Sequence, residues 1–564
     1  MKAEKKQLII LTKHFFKSFF ENEDISSESN SWKKLITVLF LLGIIAGFLS
    51  HILLKRYFLI TYEGDLWVEK FFFITFFMIV MGVLSVLQWR NVFLDSRDHA
   101  QLSQLPIKDR TLFLSKFLSL LGLIGFFFLS TTLLSSFIFP IYLSKTYDCN
   151  VFSFLYFSCV HSISCFLAYS FIFILCNLFN GILMLTLSNS LYERITTHLQ
   201  VFLFIIFSFS MIFFVSFYYL YPEMYSSFSS LKESGSKIFY ILPSFWFVGL
   251  YEYLLGKSDP LFQSLTMIAL LATLIVIVLF VWVTLLNYRN IKRFEGTRKA
   301  NENLRTRPSS LKKIFNSLVL RNSVQRATFY FFFITLKKIK KYKLMLGGYL
   351  AMPISLYFVV IMALKFTNTY GTSFLYERLI LTLPHILTIF LVVGARIISN
   401  YPESLESNWI FRILEDKDSK HYLIGLKKGI FFLLVLPLLT LLFIFYVFFL
   451  PLTDVLLHMS YSLLNSLIII YIIFMNYPKI PFTCSYEAVG INFSKIWIGI
   501  GLLSYIYAAS NFGHQIIKHP YLFSYYLISV FILMAVLLVV RKNINQGENR
   551  LVFEEDSRFR GLEL

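Results

Sequence analysis

The sequence predicts an all-α polytopic membrane protein. It has about 12 transmembrane helices in two six-helix halves, with both termini cytoplasmic. Three observations predict this. The 564 residues are 57% hydrophobic and 19% aromatic, with mean hydropathy +0.68. Apolar runs of about twenty residues recur along the chain, each long enough to cross a hydrocarbon core of about 30 Å as a helix. They are continuous rather than alternating, which selects helices over barrel strands. Finally, Lys and Arg gather between the runs. The net charge of +20 therefore follows membrane topology and points away from nucleic acid.

In order, residues 1–34 begin "MKAEKKQLIILTKHFFKSFFENED". They lack the basic region, apolar core and small-residue site of a cleavable signal. They read as a cytoplasmic amphipathic helix lying on membrane lipid. The first six-span half covers 35–287, with apolar runs at 35–54, 70–88, 115–140, 152–180, 200–221 and 262–287. The apolar stretch Val151–Leu191 leaves the fourth as one long tilted helix or two spans. A basic cytoplasmic linker, 288–343, carries sixteen Lys or Arg against Glu295 and Glu302. The N-terminal stretch is also Lys-rich, so an even number of spans separates the two. The second half, 344–540, has runs at 344–365, 378–398, 429–450, 455–475, 493–510 and 522–540. A cytoplasmic tail, 541–564, follows. Pro140, Pro353, Pro384 and Pro437 kink or cap spans. "LKKIKKYK" (Leu336–Lys343) reads as a positive-inside anchor on anionic lipid.

Each half carries a charged loop after its second span. The first is "LQWRNVFLDSRDHAQLSQLPIKDRTLFLSK", Leu87–Lys116. Trp89, Phe93, Leu102 and Leu105 supply apolar contacts there. Asp95, Arg97, Asp98 and Arg110 stand among them, and Pro106 suits a helix start. The second loop, Tyr401–Lys428, repeats the layout with Trp409, Phe411, Arg412, Leu414 and Asp416. The shared order of Trp, Phe, mixed charges and a closing Lys predicts an internal repeat. A short helix of this composition suits either a groove in a soluble partner or the headgroup layer.

Other chemistry is sparse. No GxxxxGK[ST] phosphate cradle occurs, so nucleotide energy would come from another polypeptide. The spans hold almost no acids or bases away from their ends, which argues against ion coupling. His51, His161, His385 and His458 read as helix–helix hydrogen bonders rather than proton relays. The five cysteines show no CxxC spacing and read as small apolar-facing residues. For an integral-membrane enzyme of lipid or polysaccharide assembly, the candidates are Asp416 with His421, or Glu403 with Glu406. Neither pair has metal-ligand spacing.

The pattern "W…F.D.RD…L..LPI..RT.F..K" resembles the cytoplasmic loop of bacterial ABC exporter permeases of the type-2 class. "LPSFWFVGLYEYLLG" (Leu242–Gly256) resembles the short hydrophobic segment before their sixth span. "NSVQRATFYFFFITLKKIKKYKLMLGGYLA", "IPFTCSY" and "LVFEED" resemble further stations of a twelve-span group, although "EAVG" after "CSY" replaces a Pro-Gly. The resemblance implies a transmembrane permease in the bacterial inner (cytoplasmic) membrane that exports an unknown substrate. It implies no bound cofactor and no catalysis by this chain, with ATP-Mg on separate ABC ATPase subunits docked at 89–110 and 409–428. It also implies that Pro243, Trp246, Phe247, Gly249 and Leu250 form a re-entrant segment near the outer mouth. From the residues alone an aromatic interface anchor remains open. The alternatives to a permease are the membrane enzyme and an ion-coupled secondary transporter.

Overall fold

The computed structural model describes residues 2–19, 31–59, 67–89, 91–93, 102, 107–143, 150–220, 232, 236–257, 259–294, 315–367, 372–402, 420–475, 477, 480–483 and 493–544. Among them there are helices and turns and no strand. Among the described residues, ten helices are long and apolar enough to cross a membrane, so the chain is an all-α multi-pass membrane protein. The chain divides into two compact units, Met1–Glu302 and Asn303–Leu564.

The first unit contains α1 (Lys2–Ser18), α2 (Ser31–Leu59), α3 (Trp67–Leu87), α4 (Asp109–Leu143), α5 (Val151–Thr186) and α6 (Asn189–Leu220). The short α7 (Ile238–Ile241) and α8 (Pro243–Leu254) precede α9 (Pro260–Phe294). Of the stretch left ambiguous by hydropathy, Val151–Thr186 is one helix, and its last residues, from Asn189, open the next. The 36 residues of α5 extend about 54 Å, more than a hydrocarbon core requires. The chain turns extended at Leu187, with φ −100° and ψ 148°, and α6 starts two residues later.

The second unit contains α10 (Ser323–Lys338), α11 (Lys340–Thr367) and α12 (Thr372–Ser399). Then come α13 (Lys420–Ile430), a π turn (Phe431–Val435), α14 (Leu436–Val447), α15 (Leu452–Ile473), α16 (Phe493–Lys518) and α17 (Leu522–Ile544). Asn322 caps α10 by accepting from the Val324 N–H at 2.8 Å, which satisfies one of the orphan donors of a helix start. Pro140, Pro353 and Pro384 lie inside helices, and Pro437 lies in the first turn of α14. The π turn ends two residues before Pro437, where a proline ring removes an i→i−4 bond.

Part of the packing pattern repeats in the two units, although α2 packs mainly on α4 whereas α11 packs mainly on α12. In the first, α3 packs on α5 and α6, and α5 packs on α4, α6 and α9. In the second, α12 packs on α15 and α16, and α15 packs on α14, α16 and α17. These pairings match along the helix order of the two units. An entry helix also packs on the corresponding helix each time, α1 on α4 and α10 on α13.

The first entry helix, expected to rest on lipid, also packs against the protein. Leu11, Phe15 and Leu112 form a buried cluster, and the Lys116 ammonium lies 4.6 Å from the Phe15 ring centre. Phe16 meets Phe126 edge-on farther along α4. The apolar face of α1 is thus used by the protein itself, because a neighbouring helix offers closer packing than mobile acyl chains. Ile9 and Ile10 remain exposed.

Candidate functional site

The root of the first loop is built from the end of α3. Trp89 is fully buried and Phe93 nearly so, its ring 6.3 Å from that of Phe280. Leu102 packs partly buried against the cluster of Leu11, Phe15 and Leu112. These three residues were expected to present apolar surface to a partner. They turn inward and fasten the loop to its own half, since burying a large ring inside the bundle is the stronger use of its surface. Arg110 is exposed at the start of α4. Asp95, Arg97, Asp98, Leu105 and Pro106 lie outside the described residues, as do Trp409, Phe411, Arg412, Leu414 and Asp416. Of the enzyme candidates, Glu403, Glu406 and Asp416 also lie outside them. His421 shares a 3.0 Å hydrogen bond with Gln325.

The segment Leu242–Gly256 forms a helix, α8, whose 12 residues span about 18 Å, too short to cross a bilayer. Pro243 occupies its first turn, where a missing N–H costs nothing. Phe247, Gly249 and Leu250 are buried, while Pro243 and Trp246 are half-buried. The Trp246 indole donates to the Tyr240 carbonyl at 3.0 Å. α8 packs against α3, α5 and α9. A Cβ on Gly249 would lie 2.5 Å from Leu265 Cβ and 3.2 Å from the Phe262 carbonyl, so only glycine permits the approach to α9.

The same helix delivers a carboxylate that the sequence reading passed over. Glu252 is fully buried, with Oε1 2.6 Å from the Lys70 Nζ of α3, itself only 1% exposed. Lys257 reaches Oε2 at 2.9 Å from the partly exposed side. The Lys70 ammonium also lies 4.5 Å from the centre of the Tyr251 ring. Buried Glu69 adds a second carboxylate beside it. The signal was present, because an acid inside an otherwise apolar stretch must find a partner in a low-dielectric interior. The partner lies 182 residues away, beyond any local pattern.

His161 extends this polar cluster. One ring nitrogen is 3.0 Å from Ser135 Oγ of α4 and the other 3.1 Å from Tyr251 OH of α8. It joins three helices, the role expected of it. In the second unit, His385 and His458 stand perpendicular with ring centres 5.8 Å apart. Among the described residues there is no group of three or more His, Cys, Asp or Glu able to hold a metal ion. Cys159, Cys165 and Cys176 are free thiols.

No protein family, curated protein or solved structure matches this chain.

Proposed function

We propose that this chain is the membrane subunit of an ATP-driven exporter in a bacterial inner membrane. In this reading it has twelve spans, and α2, whose apolar stretch Leu39–Leu54 is shorter, and α16 join the other ten. Both termini are cytoplasmic, and separate ABC ATPases carry ATP-Mg and dock on loops 89–110 and 409–428. The observation that supports it best is the repeated packing of the two units, each with a loop after its second span. Internal repeats are a recurrent architecture of membrane transporters. The resemblance of the loops to exporter coupling segments supplies the direction and the partner. α8 then reads as the short re-entrant element at the outer end of the first half.

The test is a mild-detergent pull-down of tagged protein from its native host. Co-purification of a soluble ATPase with a phosphate loop, lost when Asp98 and Leu105 are replaced, supports the reading. A folded, monodisperse preparation that retains no ATPase overturns it.

A second reading, an ion-coupled carrier, draws on the buried Lys70–Glu252 pair, because intramembrane charges commonly mark ion pathways. Transport that follows a proton or sodium gradient without an ATPase, and that stops in Glu252→Gln, would favour it. The pairing of Glu252 with two lysines weighs against it, since a coupling carboxylate must be free to exchange its cation.

A further inference from the structure

The last carbonyls of a helix have no intrahelical partner. In most helices a glycine turn or water satisfies them. Here α3 and α12 end without glycine. Local turn N–H groups reach the Leu84, Ile397 and Ile398 carbonyls and, at 3.4 Å, that of Val86, and donors from elsewhere in the bundle reach carbonyls at or just beyond each helix end. In the first half, Asn180 Nδ2 of α5 donates to the Trp89 carbonyl at 2.7 Å, and Gln200 Nε2 of α6 donates to the Val86 carbonyl at 2.5 Å. Asn180 is itself oriented by Tyr192, whose hydroxyl donates to Oδ1 at 2.9 Å. In the second half, the Ser399 carbonyl accepts from the Phe482 N–H at 2.7 Å and from the Tyr477 hydroxyl at 3.0 Å. The Tyr342 hydroxyl donates to the Tyr401 carbonyl at 2.7 Å.

Phe482 is the one non-glycine residue with positive φ, 67°, among the described residues. That conformation is unfavourable for a bulky side chain and persists only where its surroundings enforce it. Here the ring stacks on Tyr342 at 4.8 Å and on Phe332 at 5.7 Å. The stacked ring holds the backbone so that its N–H points at Ser399.

We propose that these donors are positioning residues that clamp the roots of the two cytoplasmic loops. Asn180 and Gln200 serve the first root, and Tyr477 with the Phe482 N–H serves the second. Displacement of the first loop then passes directly into the fourth and fifth spans. Displacement of the second passes into the connection after the fourth span and, through Tyr342, into the first span of that half. Any buried carbonyl needs a partner, but satisfaction alone requires one donor of any origin. Convergence on the same place in both halves, through unrelated residues, marks the place rather than the residue. This inference rests on the exporter reading for the source of the displacement, but not for the clamp itself.

Two measurements separate clamp from coupling. The first is hydrogen–deuterium exchange on the full chain in lipid nanodiscs, comparing the parent with Asn180→Leu and with Tyr477→Phe. Leucine keeps the branched outline and lacks both the donor to Trp89 and the acceptor of the Tyr192 hydroxyl, and the phenylalanine variant deletes a single hydroxyl. Exchange about tenfold faster at residues 84–93 in the first variant and at 396–402 in the second is expected from a lost buried hydrogen bond. Unchanged exchange in both overturns the clamp, whether or not an ATPase binds. The second places spin labels at the exposed positions Leu155 and Phe202 on α5 and α6, in the complex with the ATPase. Vanadate-trapped nucleotide should change their separation in the parent. It should leave the separation unchanged in Asn180→Leu, although the ATPase binds with affinity within about twofold of the parent. The same change in both overturns the coupling role. Absence of any ATPase complex overturns the exporter reading and the coupling with it, and leaves the exchange result to judge the clamp.

Discussion

The interiors of the two halves use different chemistry. The first encloses a carboxylate between two lysines, at α3 and α8. The interior of the second is joined by imidazoles, phenols and an amide. Tyr461 OH donates to the Ala509 carbonyl at 2.9 Å, and Tyr505 and Tyr526 both donate to Asn465 Oδ1, at 2.5 and 3.0 Å. The charges accompany α8, an element for which the second half shows no counterpart among its described residues. The comparison teaches that a shared packing plan does not dictate shared polar contacts. It also separates a pair that must be kept or lost together from contacts that can be removed one at a time.

The largest expected effect breaks the comparison on the first side. Lys70→Met leaves Glu252 buried with only the rim contact from Lys257, and should cost about 3–5 kcal/mol. Lys70→Met with Glu252→Leu should recover part of it, because an apolar pair removes two desolvation penalties while buried Glu69 loses the lysine charge beside it. The rate at which buried Cys165 becomes reactive on heating reads this, since that thiol lies in the core of the first half. Equal loss in single and double variants would show that the residues matter by shape rather than charge.

The next effect sharpens the contrast between the two entry helices. A Cβ on Gly425 would lie 2.7 Å from the Gln325 carbonyl, a backbone atom, whereas on Gly122 it would meet Phe16 at 3.4 Å, an ordinary contact. Gly425→Ala should therefore destabilise by about 1–3 kcal/mol through overpacking. Gly122→Ala should stabilise by up to about 1 kcal/mol through helix propensity. Thermal unfolding of the two variants side by side checks the opposite signs.

A smaller change is expected from Tyr505→Phe, which removes one of two donors to Asn465 and should cost about 1 kcal/mol. The unfolding midpoint in denaturant measures it. A loss comparable to that of Lys70→Met would erase the distinction between the halves.

The smallest effect is a pH dependence at the start of α9. Burial alone would raise the Asp259 carboxyl. The hydrogen bonds from Lys232 and the Leu261 N–H, with the charges of Lys232 and Lys257, outweigh burial and hold it below its ordinary 3.8. A depressed carboxyl contributes stability above its unfolded value, about 3.9, and loses it as pH falls through the lower folded value. With both partners partly exposed, the contribution should stay under about 1 kcal/mol. Unfolding midpoints followed downward from pH 5 should fall slightly more steeply in the parent than in Asp259→Asn.

Much of this fold was legible because membrane helices announce themselves by uninterrupted apolar length. Each expected run overlaps a helix, the run 429–450 crossing α13, the π turn and α14, and the break at Leu187 was the ambiguity that hydropathy left. The loop roots were legible in position but not in orientation. Trp89 and Phe93 look alike to composition whether they face a partner or the bundle, and only the space beside α5 and α9 decides. Glu252 was hidden by its neighbours, because its aromatic setting read as an interface belt while its partner stood on a distant helix. The left-handed Phe482 had no signal at all, since its conformation is imposed by rings from α10 and α11.

The π turn at Phe431–Val435 works as a gear offset. One additional residue within a turn advances the helix by about 100°. The rod therefore presents one bearing before the turn and another after it. Ahead of it, Gly425 and Lys428 mesh with α10, with Lys428 reaching the Val319 carbonyl and Gln325 at 2.7 and 2.8 Å. Beyond it, α14 meshes with α15. Removal of a single residue from 431–435 would put the two bearings out of phase, so that α13 and α14 could not engage α10 and α15 at once.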